Sequence, residues 1–329
     1  MLCAMLRRLL LVPVLPVLLT GLCATPAQAH SPEVRFLTEH VVPKGLVVDG
    51  TTVGGLSGLD YDRRTGKWVY ISDDRVAPRF YEGKLSRKGV ELTGVHSLVG
   101  PNGPYAPGTV DPEDVRVDKW TGDLLWSQEG DRTPTTLIDP SVQFSKRDGS
   151  FRTALPTPAE LRMKPESGPR QNQALEGLTF ALGGTLVVTA LEGPLLQDGP
   201  PATTTKGAVS RIVVQTRTGQ VVGQYRYQQE PLFAADASTG VTAILEKSPG
   251  VYLVLERSFS PTLGNEVRLF EYRPLQNRKR LLADIGAFPV SKVDNLEGMA
   301  WGPDGTLWLV SDDNFNATQV TQFIALAVR

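Results

Sequence analysis

Cysteine is almost missing from this 329-residue chain: Cys3 and Cys23 are the whole supply. Histidine is nearly as scarce, with only His30, His40 and His96. So equipped, the chain has no Cys–His pattern for structural zinc and little material for a Ser-His-Asp triad. Neither sign of charge dominates. Its 34 Lys and Arg face 35 Asp and Glu, so nothing argues for nucleic acid or an anionic membrane surface as partner. P-loop and dinucleotide fingerprints are lacking. "GGLSGL" is not G-x-S-x-G, because Gly58 directly follows Ser57. "DDNFNA" begins like an EF-hand loop but has Ala317 where glycine is needed and Phe323 at the twelfth position.

The first residues read as a secretory signal: a basic Arg7-Arg8 pair, the apolar run Leu9 to Leu19, and an Ala27-Gln28-Ala29 cleavage site. Pro13 and Pro16 interrupt the run, which is too short for a bilayer span. Leu22 ahead of Cys23 speaks against a lipoprotein, and the Arg pair does not decide between general and twin-arginine export. The expected product of cleavage after Ala29 is one domain over residues 30–329, secreted or periplasmic, with no cysteine and a formal charge of −3.

What the chain has in abundance is turns, with 32 Gly and 25 Pro, and an internal repeat. "GLSGLDYDRRTGKWVYISDD" (55–74), "PEDVRVDKWTGDLLWSQEGD" (112–131), "LEGLTFALGGTLVVTALEG" (175–193), "VTAILEKSPGVYLVLERSF" (241–259) and "NLEGMAWGPDGTLWLVSDDNF" (295–315) share one pattern. Each places a polar residue before a short apolar alternation, a glycine turn, a second alternation and then charged residues, which is the signature of a β-hairpin. All five tryptophans lie inside the copies, as expected of large side chains packing between sheets. Two further strand-like runs follow each of the first four copies. After the fifth comes only "QFIALAVR", and "VRFLTEHVV" near the start supplies the missing strand. The expected fold is an all-β propeller of four-stranded antiparallel blades, closed by both ends of the chain. Five blades account for the strands, and six require another hidden in the Pro-rich segment 131–173.

In a hairpin the start of the first strand lies beside the end of the second. All copies should therefore aim their end residues at one face, around the mouth of the central channel. That face would collect Ser57, Asp73 and Asp74 from blade one, and Glu113, Asp114, Glu129 and Asp131 from blade two. Blade three would add Glu176 and Glu192, blade four Glu256, and blade five Asp294, Glu297, Asp312 and Asp313. Bare carboxylates so close would raise one another's pKa. Hard oxygen donors without cysteine favour Ca²⁺ as the offsetting charge, and Arg75, Arg79, Arg132, Arg170 and Arg257 stand at or near the same edges as possible anion-binding groups.

The ordered set "VGGLSGLDYD", "YISDDR" with "RFYEGKL", "DPEDVRVD", "NQALEGLTF" with "TALEGPLLQDG", "YLVLER" and "NLEGMAWGPDGTLWLVSDDNF" resembles the phytase-like family, described as esterase-like proteins of the phytase family. The resemblance runs from about Val53 to Val328. It implies Ca²⁺ held in an acidic channel mouth and hydrolysis of a phosphoester. The implied acidic positions are Asp73, Asp74, Glu113, Glu176, Glu192, Glu256, Glu297, Asp312 and Asp313, with Arg75, Arg79 and Arg257 in the same motifs. Asp114 departs from the pattern, which has glycine there.

The leading expectation is an exported Ca²⁺-dependent hydrolase. Asp73, Asp74, Glu113, Glu129, Glu192, Glu256, Asp312 and Asp313 would hold metal, Glu176 or Glu297 would move the proton, and the five arginines would bind substrate. The chain has no basic run sized for a heavily phosphorylated inositol, so a substrate with fewer phosphates, or another ester, fits as well. The expected partner is one small ester or phosphoester, with the chain monomeric and off the membrane after cleavage. A non-catalytic binding propeller with structural Ca²⁺ and a lactonase-like sugar-acid hydrolase are the alternatives.

Overall fold

The computed structural model describes residues 33–329; the expected signal segment and both cysteines lie outside the described residues. Five four-stranded antiparallel sheets follow one another along the chain. Blade one is Leu56–Asp62, Lys67–Ser72, Arg79–Ser86 and Gly89–Ser97. Blade two is Pro112–Val117, Leu124–Gln128, Ser141–Ser145 and Phe151–Ala154. Blade three is Leu175–Ala181, Leu186–Leu191, Val209–Thr216 and Val221–Gln228. Blade four is Ser238–Ser248, Val251–Ser260, Gly264–Arg273 and Arg278–Asp284. Blade five is Asn295–Trp301, Leu307–Asp312, Gln322–Val328 and, from the other end of the chain, Val34–Val41. The pairing of Val34 with Val328 closes the ring as the sequence led us to expect.

The core is distributed rather than central. Each of five apolar clusters fills the gap between two neighbouring blades. Ile71 and Phe80 meet Val115 and Trp126 between blades one and two, and Trp68 and Tyr70 meet Trp308 and Phe323 between blades one and five. Such side chains sit on alternate positions of strands whose two faces are both covered, which is why inner strands read as nearly continuous apolar runs. Trp120 and Trp301 depart from the expected packing. Trp120 is 53% exposed on a hairpin turn under the Arg217 guanidinium, and Trp301 is half-buried at the far end of its strand.

Segment 131–173 hides no sixth blade. Among the described residues it carries a two-residue ribbon (Asp131–Arg132 with Leu137–Ile138), the two outer strands of blade two and one 3-10 turn. His40 and His96 lie on outermost strands, stacked on Trp308 and Phe80, away from the channel.

Every innermost strand has a one-residue β-bulge at the same place. The pairing jumps from Leu56 to Gly58, Pro112 to Val115, Leu175 to Gly177, Val241 to Ala243 and Leu296 to Gly298. A bulged residue leaves the ladder and its side chain is re-aimed. The glycines after Glu176 and Glu297 have a second cause. A Cβ on Gly177 would lie 2.6 Å from the Ile244 amide nitrogen, and one on Gly298 would lie 2.8 Å from the Ser57 carbonyl. The recurring Leu-Glu-Gly therefore encodes a bulge that aims an acid and a bare backbone against which the next blade packs.

Candidate functional site

Two rings of side chains surround the channel mouth. The bulges supply Ser57, Glu113, Glu176, Thr242 and Glu297. The ends of the second strands supply Asp73, Glu129, Glu192, Arg257 and Asp312, fifteen or sixteen residues later in the chain. Hydroxyls lock the bulges to the next blade: Ser57 Oγ donates to the Glu113 carbonyl at 2.5 Å, Ser127 Oγ to that of Glu176 at 3.1 Å, and Thr242 Oγ1 to that of Leu296 at 3.0 Å.

Between blades two and three the acids converge. Oxygens of Asp111, Glu113 and Glu129 lie within 4.8 Å of one another, and so do those of Glu129, Glu176 and Glu192. Glu129 belongs to both groups, with one oxygen also accepting the Ala174 N–H. Burial pushes Glu113, Glu129 and Glu176 well above the usual carboxylate range, and repulsion from neighbouring carboxylates, Glu176 on Glu113 and Glu192 on the other two foremost, adds to it. Burial likewise raises Asp111 to about 6 and Glu192 to about 7, though Arg75 and Arg257 oppose it. On the blade one and five side, desolvation and the charges of Asp312 and Glu297 drive Asp73 to about 10, and its Oδ1 has no hydrogen-bond partner. Asp312 is raised by burial and then by Glu297, while its oxygens accept from Asn295 and the Asn314 N–H.

Two guanidiniums reach these acids. Arg75 lies 3.5 Å from both Asp111 and Asp131, and Arg257 bridges Glu192 at 3.4 Å and Glu297 at 3.5 Å. Glu297 also accepts from Asn295 Nδ2 at 2.8 Å and is held at about 7, chiefly by burial. Nine carboxyls therefore face two guanidiniums in a largely buried mouth. So many raised acids and an orphaned Asp73 oxygen fit a site made for divalent cations with hard oxygen ligands.

The other expected site residues are placed elsewhere. Glu256 accepts from the Tyr227 hydroxyl at 2.6 Å, the Glu230 N–H at 2.9 Å and Lys279 Nζ at 2.5 Å, in the seam between blades three and four. Strand alternation gives the mouth its neighbour Arg257 instead. Asp74 caps the Val76 and Ala77 amides and holds Arg79, which is itself buried against Tyr81 and Thr52. Asp313 accepts the Gly55 and Phe315 amides. Arg132 fastens the long loop through the carbonyls of Pro169, Lys164 and Ser167, and Arg170 donates to Gly199. Backbone groups and side chains of the protein itself engage these residues. Asp111 escaped the sequence reading because it stands two residues before the bulge, where the other copies have Gly55, Ala174, Gly240 and Asn295; Pro112 beside it is the local oddity that marks the place.

Asp114, in place of the glycine that follows the bulge in blades one, three and five, pairs with Arg116 on the axis of the ring. Arg116 Nη1 and Nη2 meet the two Asp114 oxygens at 2.8 Å each, and reach the carbonyls of Leu59 (2.9 Å), Ile244 (3.4 Å) and Met299 (3.2 Å). Asp114 also accepts the Leu178 N–H at 3.0 Å. One ion pair thus ties its own blade to the other four.

The mouth also predicts a pH response. The raised acids ionise near their ordinary values once unfolded, so between about pH 4 and pH 7 the native state binds more protons than the unfolded chain. That contribution to stability is complete below about pH 4 and is lost as pH rises, through about 6 to 7 for Asp111, Glu192 and Glu297 and up to about 10 for Asp73, and a bound cation should restore it. Thermal melts with chelator and with Ca²⁺ should therefore nearly coincide at about pH 5 and separate through about pH 7. A separation that is constant with pH, or absent, would contradict this.

Comparison with known proteins agrees with the fold. The model of the family described as "Phytase-like: Esterase-like activity of phytase" matches residues 51–315. No curated protein matches the chain. Among solved structures, an endo-arabinase from Bacteroides thetaiotaomicron VPI-5482 is 12% identical with a TM-score of 0.51, over 83% of this chain and 94% of that one. A thermostable family-43 glycoside hydrolase is 13% identical with a TM-score of 0.52, over 88% and 96%. At such identity the likeness is one of fold.

Proposed function

This chain belongs to the phytase-like family, and from that premise we propose that it is an exported, cation-dependent hydrolase of a phosphoester or related ester, with Ca²⁺ as its cation. The observation that carries the reading is the pair of acidic triads sharing Glu129 between blades two and three. Asp111, Glu113, Glu129, Glu176 and Glu192 would hold the cations. This moves Glu176 from proton transfer to the ligand set. Ca²⁺ bound there would polarise an ester or phosphoryl oxygen and make water more acidic.

The chain's own residues supply the rest. Glu297 stands outside both triads at about 7, the range in which a carboxylate exchanges a proton efficiently near neutral pH. Arg257 fixes it from one side and Asn295 from the other. Arg75 has the more accessible of the two guanidiniums, its side chain 35% exposed, and is placed to take a phosphate or carboxylate oxygen.

The test is turnover of phytate, p-nitrophenyl phosphate, p-nitrophenyl acetate and an aldonolactone by the Ca²⁺-loaded and the chelated protein. No product above the chelated control with any of them would overturn the reading. A companion measurement needs no substrate. Ca²⁺ at a hundred times its Kd should stabilise the protein by about 2.7 kcal/mol, and Glu129→Gln should remove most of that gain because both triads lose a ligand. A Glu129→Gln protein with the full Ca²⁺-dependent rise in Tm would place the cations elsewhere.

A further inference from the structure

At the opposite end of the channel, a cavity of about 420 Å³ opens where the inner strands finish. Asp60, Val117, Phe180, Glu246 and Trp301 line it, each three or four residues past a mouth-facing bulge of its own strand, so the whole ring separates it from the acidic mouth. We propose that this cavity is a second binding site, for a small organic anion with a flat apolar body.

The charges of its wall are unequally engaged. Its acids already serve the protein: Asp60 accepts the Val117 N–H at 2.8 Å, Asp62 the Arg64 N–H at 2.8 Å and the Thr65 hydroxyl at 2.9 Å, and Glu246 the Leu182 N–H at 3.0 Å. Its cations do not. Among the described residues, the side chains of Arg63, Arg64 and Lys119 have no ion-pair or hydrogen-bond partner, and all three are exposed at the rim. A second and independent observation comes from Arg116. It is 2% exposed and also lines the cavity, and while its two terminal nitrogens are satisfied, its Nε has no acceptor. A buried guanidinium N–H without an acceptor is costly, and an oxyanion would supply one. Phe180 and the half-buried Trp301, whose Nε1 is fixed to the Glu246 carbonyl at 3.0 Å, offer aromatic surface beside these donors. Cationic rim, unsatisfied floor and aromatic wall together fit a carboxylate or phosphate carried on a ring.

The test is calorimetric titration of the whole protein with 1-naphthoate and with phenyl phosphate. Chelator is kept present so that no cation in the acidic mouth recruits the anion. Saturable binding is expected, weakened at least about tenfold in the double variant Arg64→Ser/Lys119→Ser. That variant should melt as the parent does and keep its ester turnover, since both residues lie on the far face. Fluorescence quenching by naphthoate should be reduced in Trp301→Phe. Absence of saturable binding, or binding undiminished in the double variant, would overturn the proposal. If ester turnover is never found but the anion binds in this way, the second site stands independently of the proposed activity.

Discussion

Arg116→Met is expected to destabilise the protein by about 3–5 kcal/mol, the usual consequence of stranding one member of a buried ion pair. Here the stranded partner is Asp114, 1% exposed, and the carbonyls of Leu59, Ile244 and Met299 lose their donor in the same step. Blades one, four and five would then touch the axis through packing alone. In a chain of this size the loss corresponds to a fall in Tm on the order of 10 °C. Arg116→Lys should be nearly as damaging, because an ammonium cannot reproduce a fork that spans several blades. Asp114→Asn/Arg116→Met should recover part of the loss, since no buried charge then remains unpaired. Urea unfolding would check all three. An Arg116→Met protein within about 1 kcal/mol of the parent would show that the axis is not held by this pair.

Glu297→Gln is expected to lower kcat by about 10²–10⁴-fold, the range attributed to a positioned proton-transfer group. The substitution keeps the shape and the oxygen that accepts from Asn295, and it leaves Arg257 paired with Glu192. Two companion readouts separate this role from structural damage. The Ca²⁺-dependent rise in Tm should survive, because Glu297 is in neither triad. In the parent, activity should climb through about pH 7 as Glu297 loses its proton, and this limb should vanish from the residual activity of the variant. Glu176→Gln, by contrast, should impair cation binding and turnover together. A Glu297→Gln enzyme retaining activity within about threefold of the parent would remove Glu297 from the chemistry.

The fold was legible in the sequence because a repeat multiplies a weak signal. One hairpin such as Gly55 to Asp74 says little, but five in order, with one strand missing at the end and one to spare at the start, leave few ways to close a sheet ring. The mouth was legible wherever the residue sits on a bulge or at the fifteen- or sixteen-residue spacing from it. It was illegible where the choice between neighbours turns on register. Glu256 and Arg257 are adjacent, and pairing with Val241 and Gly240 respectively sends them to opposite faces. Asp74 and Asp313 fail for the same reason, each one residue beyond a mouth position and turned to cap amides. Arg79, Arg132 and Arg170 lie near the mouth in sequence, yet loop carbonyls or a neighbouring tyrosine engage them, and no pattern of charges reveals that. The Asp114–Arg116 pair was visible only as a departure from glycine, since its partners come from blades up to 183 residues away.

The pairing of Val34–Val41 with Gln322–Val328 has a kinetic consequence. Blades one to four can each assemble from contiguous chain soon after it becomes available. Blade five cannot, for its outermost strand is made first and its neighbour last. Bringing these ends together across nearly three hundred residues costs about 5 kcal/mol of chain entropy by loop-closure scaling, before any contact offsets it. Ring closure should therefore be the late and slow event in folding, and until it happens the Gln322–Val328 strand presents an open edge to other chains.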